Sequence, residues 1–210
     1  LIEIVQGEGG LNMAPEGYFE ELGAYCKEKN VLLIIDEVQT GLGRTGKILA
    51  SQYFDIKPDI ISLAKGLGGG VPIGATLTSN KVSEGFVPGD HGSTFGGNPL
   101  SCAAANAAVD EIIEKKLSEN AEEVGKYLKN KFLELKSKYD FITDVRGLGL
   151  LIGIELNMPG GEIVDEMRKR RVLINCTAGN VLRFAPPLLI SKSDVDKMIP
   201  LLDEVFSNIN

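Results

Sequence analysis

Val31-Leu-Leu-Ile-Ile-Asp36 and Asp59-Ile-Ile-Ser-Leu63 are two short apolar runs, each bounded by an acid, and how they are read decides the fold. An unbroken apolar run that stops at an acid is the pattern of a strand covered on both faces of a parallel sheet. Such a strand has no solvent face to mark with alternating polar residues. Between the runs lie a glycine-rich loop, Gly41 to Gly46, and a short stretch of helical character. The pair therefore reads as a strand, crossover, strand unit. The second strand leads directly into Ala64-Lys65-Gly66.

Upstream, residues 15–29 are expected to be helical, with Pro15 in the first turn and Tyr18, Leu22, Tyr25 and Cys26 on one face. Leu1-Ile-Glu-Ile-Val5 reads as a strand already under way, with no turn or cap before it, so further sequence is expected ahead of Leu1. Downstream, a strand is expected from Gly74 to Ser79, a polar loop from Pro88 to Pro99, and an alanine-rich helix from Leu100 to Lys115. The composition then changes. Leu117, Ala121, Val124, Leu128, Phe132 and Leu135 recur at steps of three and four, giving a long amphipathic helix with lysine and glutamate on its outer face. Strands at 149–156, 172–175 and 181–184 alternate with helices near 161–171 and 193–208. Ser193 and Asp196 have the spacing of a capping box, and Pro200 is expected to kink the last helix. The expected organisation is α/β: a large domain over residues 1–115 with a mostly parallel sheet, then a small α+β domain over 116–210.

Bulk composition narrows the function. The chain has 210 residues, 43% hydrophobic and 24% charged, with a formal net charge of -7. No basic excess is available to neutralise phosphates, which argues against nucleic acids and anionic membranes and favours small-molecule chemistry. Cys26, Cys102 and Cys176 are distant from one another and odd in number, so neither a disulfide framework nor a zinc site is suggested. A reducing, cytoplasmic setting is the expectation. No run of about 18 apolar residues is present to span a bilayer, and the first residues lack the basic flank of a secretory signal.

In a parallel α/β sheet, ligands collect beyond the carboxyl ends of the strands. Asp36 and Lys65 both fall there. A lysine just past a buried strand is a candidate amine nucleophile for Schiff-base chemistry, because desolvation disfavours its charged form. An aspartate at the end of a neighbouring strand is the group a pyridine cofactor needs, since its charge keeps the ring nitrogen protonated. Each residue also has a plainer reading, Asp36 as a turn cap and Lys65 as a surface lysine. A nucleotide site is the rival: Leu32-Leu-Ile-Ile-Asp36-Glu37 resembles a magnesium-binding strand, and Gly41-Leu-Gly-Arg-Thr-Gly46-Lys47 resembles a phosphate loop. It fails because Ile48 stands where a magnesium-binding hydroxyl is needed and the loop follows the acidic strand instead of opening a helix after its own. Gly66-Leu-Gly68-Gly-Gly70-Val71 likewise misses the last glycine of a dinucleotide fingerprint.

Five segments stand together in order: Glu3-Ile-Val-Gln-Gly-Glu8-Gly-Gly, Asp36-Glu-Val-Gln39-Thr-Gly-Leu-Gly-Arg44-Thr-Gly, Pro58-Asp-Ile-Ile-Ser-Leu-Ala-Lys65-Gly-Leu-Gly-Gly-Gly-Val-Pro-Ile-Gly-Ala, His91-Gly-Ser93-Thr94-Phe-Gly-Gly-Asn-Pro and Val181-Leu-Arg183-Phe-Ala-Pro-Pro-Leu. In this combination the chain resembles the class III (ω-amino-acid) aminotransferases, enzymes dependent on pyridoxal 5'-phosphate (PLP), over essentially its whole length but only as their C-terminal half. The resemblance implies fold type I of the PLP-dependent transferases. It implies that Lys65 bonds the cofactor and moves the substrate proton, that Asp36 pairs with the pyridine nitrogen, that Val38 packs on the ring, and that Gln39 lies near the phenolic oxygen. Thr94 would reach the phosphate on a neighbouring subunit, which implies a homodimer. Arg183, Glu8 and Ser93 would serve the substrate, Arg183 by taking a carboxylate in its planar fork. Val38, Gln39 and Thr94 have plainer readings as core or loop residues, as does His91 as a turn residue, and Arg44 is read as structural.

The implied reaction moves the terminal amino group of N-acetylornithine to 2-oxoglutarate. Ornithine, succinylornithine, 4-aminobutyrate and a lysine-pathway substrate are close alternatives. The family's first half also supplies a ring-stacking aromatic, a phosphate loop and a second substrate arginine, none of which lies in these 210 residues. A second expectation follows, a truncated scaffold that catalyses nothing alone.

Overall fold

The computed structural model describes residues 1–54 and 56–209. In chain order, the first elements are β1 (Ile2–Glu3), β2 (Val5–Gln6), β3 (Asn12–Met13), α1 (Tyr18–Glu28), β4 (Ile34–Asp36), β5 (Ile60–Leu63) and β6 (Ala75–Thr78). They are followed by α2 (Asn80–Ser83), α3 (Pro99–Glu114), α4 (Leu117–Lys138), β7 (Ile142–Leu148) and β8 (Leu151–Leu156). The chain closes with α5 (Gly161–Lys169), β9 (Asn175–Thr177), β10 (Val181–Phe184) and α6 (Lys192–Ser207). Two compact units are formed: Leu1–Ile4, Ala14–Gly43 and Lys47–Leu117 make the first, and Val5–Met13, Arg44–Gly46 and Ser118–Asn210 the second.

The first unit is built on a sheet of order β1-β4-β5-β6. β1, β4 and β5 run parallel and β6 antiparallel, so Asp36 stands opposite Ser62 on the neighbouring strand. The expected strand at 31–36 is shorter than its apolar run. Val31 and Leu32 are 54% and 52% exposed and lie outside β4, because a run of apolar residues becomes a doubly covered strand only where layers lie over both faces. α1 also departs from expectation. It starts at Tyr18, after Gly17 in the left-handed region (φ 80), and buries Phe19 and Cys26 while Tyr18 and Tyr25 stay exposed. Phe19 packs against Phe54 with ring centroids 4.7 Å apart.

The crossover between β4 and β5 contains a 3-10 turn, Ala50–Tyr53, held by Glu37. The buried Glu37 carboxylate accepts from Ala50 N (3.0 Å), Ser51 N (2.7 Å) and Thr40 Oγ1 (2.6 Å), which satisfies an acid that would be costly to bury unpaired. α2, a single turn, was not expected. α3 begins where Asn98 accepts from Ser101 N at 3.0 Å and Pro99 occupies the first turn, an arrangement that leaves no orphan donor at proline.

The second unit is an antiparallel sheet of order β7-β8-β10-β9 packed with α4, α5 and α6. All six apolar positions expected on α4, from Leu117 to Leu135, are buried. Phe132 stacks at 4.5 Å on Phe184 of β10, and Val195, Leu202 and Phe206 of α6 complete the core. Burial of each such side chain contributes about 1.5–3 kcal/mol. Three details correct the sequence reading. β7 was not foreseen, since Ile142-Thr-Asp-Val-Arg-Gly-Leu148 mixes polar and apolar residues without a long run. The expected strand at 172–175 is displaced to Asn175–Thr177, while Val172 and Ile174 pack partly buried on the core. The capping box is Ser191 with Asp194, not Ser193 with Asp196: Asp194 N donates to Ser191 Oγ and Ser191 N to the Asp194 carboxylate. α6 then runs through Pro200 as one helix.

Glycine is required where α4 meets the β7–β8 turn. A Cβ on Gly125 would lie 2.0 Å from the carbonyl oxygen of Gly149. Arg44, from a separate stretch of chain, fastens the same turn. Its guanidinium donates to Leu150 O and Pro186 O, its own carbonyl accepts from Leu150 N at 2.9 Å, and burial pushes its pKa below the usual arginine value. The expectation that Arg44 is structural fits this geometry.

Candidate active site

Within the first unit, β4 and β5 end side by side, and each ends at a residue singled out from the sequence. Asp36 closes β4 half-buried, and its Oδ1 accepts from Val38 N at 2.8 Å. This is the turn-capping role of a strand-end aspartate, so the plain reading of Asp36 holds alongside any chemical one. The contact also orients the carboxylate, because a two-residue hydrogen bond fixes χ1. Val38 and Gln39 are partly buried in the same turn.

Lys65 follows β5 after Ala64, with φ +48. Left-handed backbone is disfavoured for any residue with a Cβ, by about 1–2 kcal/mol. Asn30, Lys116 and Arg171 also have positive φ, but they follow helix ends, where that conformation is a normal cap. Lys65 instead opens a 3-10 turn, Lys65–Gly68, in which Leu67 N donates to Ala64 O at 3.0 Å. Leu11, Leu42 and Ala178 share this conformation away from helix ends, and at Lys65, as there, it is of the kind held in place by surrounding structure. α3 is that support. Ser101 Oγ donates to Pro72 O at 3.2 Å, and a Cβ on Gly69 would touch Ala108 at 3.5 Å. The side chain of Lys65 is exposed, and among the described residues no hydrogen bond or ion pair holds its amine. An uncommitted amine can serve as a nucleophile, and the oriented Asp36 carboxylate ends the adjacent strand.

Ser93 and Thr94 lie in the exposed loop between α2 and α3, where Ser93 Oγ accepts from Gly96 N at 2.9 Å. That contact is local, and among the described residues no hydrogen bond brings Ser93 or Thr94 to Asp36 or Lys65.

The second unit holds the other two expected residues, and it brings them together. Arg183 on β10 pairs with Glu8 at 2.6 Å (Nη1 to Oε1) and donates to Gly7 O at 2.8 Å. Its side chain is 14% exposed, whereas that of Glu8 is 70% exposed. Residues that sequence reasoning missed surround the pair. Asn175 Oδ1 accepts from Arg183 Nε at 3.1 Å, Thr177 Oγ1 donates to Glu8 O, and Arg146 donates to Gly10 O through Nε (3.0 Å) and Nη2 (2.7 Å). Arg146 also pairs with Asp144 and Glu155. Burial alone would lower its pKa, but the hydrogen bonds to these two carboxylates raise it overall. Thr177 and Arg146 reach carbonyls more than a hundred positions away in the chain, and Asn175 meets Arg183 across paired strands, so no local sequence pattern marks them.

Comparison with known proteins gives one consistent result. A family model described as Aminotransferase class-III matches residues 1–206. An acetylornithine aminotransferase of Aquifex aeolicus is 53% identical over 206 residues, covering 98% of this chain and 53% of that protein. One from Methanocaldococcus jannaschii is 49% identical over 209 residues, covering 100% and 52%. The chain thus spans about half the length of the curated relatives it matches. Among solved structures, acetylornithine aminotransferase from Elizabethkingia anophelis superposes with a TM-score of 0.94 at 40% identity, covering 99% of this chain and 53% of that one. An ornithine aminotransferase from Toxoplasma gondii, described with partial occupancy of PLP at its active site, gives 0.94 at 39% identity, covering 98% and 50%. The α/β architecture expected from the sequence is the fold of these structures.

Proposed function

The chain belongs to the class III aminotransferases, and from that premise we propose that it is the cofactor-carrying half of an enzyme that moves the terminal amino group of N-acetylornithine to 2-oxoglutarate. The observation that carries this reading is Lys65, held in a left-handed conformation at the end of β5 with its amine exposed and Asp36 at the end of the adjacent parallel strand. The pair fits PLP by its chemistry, an amine able to form an imine and an acid able to hold a proton on a pyridine nitrogen. When bound, PLP supplies an electron sink for the pair left behind when a proton leaves the substrate carbon. Lys65 holds the cofactor and carries that proton. Asp36 keeps the ring nitrogen charged, Val38 covers a ring face, and Gln39 serves the phenolic oxygen. Thr94 serves the phosphate on a neighbouring subunit of a homodimer, with Ser93 beside it on the substrate side. In this assignment residues 1–115 are part of the large domain and 116–210 the small one, and the enzyme works in the cytoplasm. No helix among the described residues is long and apolar enough to cross a membrane.

Arg183 and Glu8 supply the discrimination between two unlike substrates. N-acetylornithine presents a CH2 at the reacting carbon, and Glu8 then neutralises the half-buried guanidinium. The α-carboxylate of glutamate or 2-oxoglutarate displaces Glu8 and takes the fork. The exposure of Glu8 supports this order, because a carboxylate that is mostly solvated is cheap to move off its partner.

Reduction of the whole protein with borohydride followed by peptide mass spectrometry tests the cofactor assignment. The expected result is a PLP adduct on Lys65; an adduct on Lys47 or Lys81 overturns it.

A further inference from the structure

We propose that β9 is the gauge that sets Glu8 against Arg183, with Thr177 as the positioning residue for the acid and Asn175 for the guanidinium. The inference rests on the amino-transfer reading above. Glu8 sits in the segment joining β2 and β3, which pair antiparallel with Val5 opposite Met13 and Gln6 opposite Asn12. Three of its five linking residues, Gly7 to Leu11, are glycine. Such a segment has little intrinsic shape, because glycine visits all backbone regions at similar cost. Here three of its carbonyls are held from outside, by Arg183, Thr177 and Arg146.

Successive carbonyls along it are each given a donor. Gln6 O accepts from Leu11 N (2.9 Å), Gly7 O from Arg183 Nη1 (2.8 Å), Glu8 O from Thr177 Oγ1, Gly9 O from Asn12 Nδ2 (2.8 Å), and Gly10 O from Arg146. A flexible loop would leave these oxygens to water. Of the donors, Thr177 acts on the peptide of Glu8 itself, and it is a buried hydroxyl with a fixed position on β9.

Asn175 lies two residues earlier on the same strand, so its side chain leaves the same face. It accepts from Arg183 Nε, opposite Arg183 in the register of β9 and β10, while Thr177 stands opposite Val181. One short strand therefore fixes both ends of the ion pair. Thr177 acts through where it holds Glu8.

The test is single-turnover measurement of both half-reactions, with glutamate and with N-acetylornithine, in the PLP-loaded whole enzyme. Thr177→Val keeps the volume and removes the hydroxyl. It is expected to shift the ratio of the two rates toward the glutamate half-reaction by about two- to tenfold, the range for one hydrogen bond. Thr177→Ser should restore the wild-type ratio. In a Glu8→Gln background Thr177→Val should add no further shift. If Thr177→Val does not accumulate, Thr177→Ala, which leaves room for water, replaces it with the same expectation. Equal slowing of both half-reactions, with the ratio unchanged, would mean that the hydroxyl only supports the fold and overturns the proposal. A ratio shift in Glu8→Gln without one in the Thr177 variants overturns this inference alone. An unchanged ratio in Glu8→Gln overturns the exchange of Glu8 for substrate and the inference with it.

Discussion

The two units solve the burial problem differently. In the second, three helices close over one antiparallel sheet, and the apolar residues of α4, β8 and α6 meet in a single core. In the first, a four-stranded sheet leaves Leu77 exposed, Val31 and Leu32 are exposed just before β4, and β5 leads through Ala64 into a left-handed Lys65. One unit spends its sequence on packing, the other on presentation. Asp36 and Lys65 lie in the first unit, where side chains are more exposed, whereas Glu8 and Arg183 lie in the second.

The largest effect expected from this contrast is at Lys65. Lys65→Gly in the whole protein should reduce amino transfer by at least about a thousandfold, the scale of a lost general base, and remove the visible absorption of the bound cofactor. The same change should raise stability by roughly 0.5–1 kcal/mol, since relief of left-handed strain outweighs the entropy glycine adds to the unfolded chain. Activity assays with thermal unfolding read both; retained activity, or a clear loss of stability, breaks the contrast. Next in size is Phe132→Ala, which should destabilise the second unit by about 3–5 kcal/mol, measured by denaturant titration. A loss below about 1 kcal/mol would mean that the core does not act as one body. Leu32→Gln in the first unit is expected to change stability by less than about 0.5 kcal/mol while lowering self-association of the 210-residue chain in light scattering. A large loss of stability there would place Leu32 in a core after all.

The smallest effect concerns pH and the cap of α6. Hydrogen bonds from Ser191, with Lys197 adding to them, hold the Asp194 carboxyl down at about 2 against an ordinary 3.8. Its folded pKa is depressed, so its contribution is present above the ordinary value and lost as pH falls from there toward about 2. Asp194→Ala should lower the melting temperature slightly at neutral pH and flatten the acid limb between those values. A parallel acid limb in wild type and variant would remove Asp194 from the cap.

What could be read from the sequence follows the same division. The buried face of α4 was legible because helical period alone fixes which six side chains point inward, whatever lies opposite. The run from Val31 to Asp36 was misread in its first residues because doubly covered strands depend on neighbours that the run does not encode. At Ser191-Lys-Ser193-Asp194-Val-Asp196 two capping frames overlap, and the phase of Val195 and Leu202 on the core selects the earlier one. In the site, Asp36 and Lys65 were legible as residues that end strands. Glu8 and Arg183 came only from resemblance, and Arg146, Thr177 and Asn175 not at all, since a side chain reaching a distant carbonyl, or meeting another side chain across a strand pair, leaves no periodic trace.

The meeting of Gly125 with Gly149 limits how this fold can drift. On an exposed helix face, replacing glycine by alanine is among the safest ways to strengthen a helix, worth about 1 kcal/mol. At position 125 the added methyl would land on a carbonyl oxygen fixed by its own turn, and neither backbone has a flexible side chain to yield. A lineage of this chain can change nearly every outward residue of α4 while position 125 stays silent. An engineer ranking substitutions by helix propensity would place first the one change that pries the helix off its sheet.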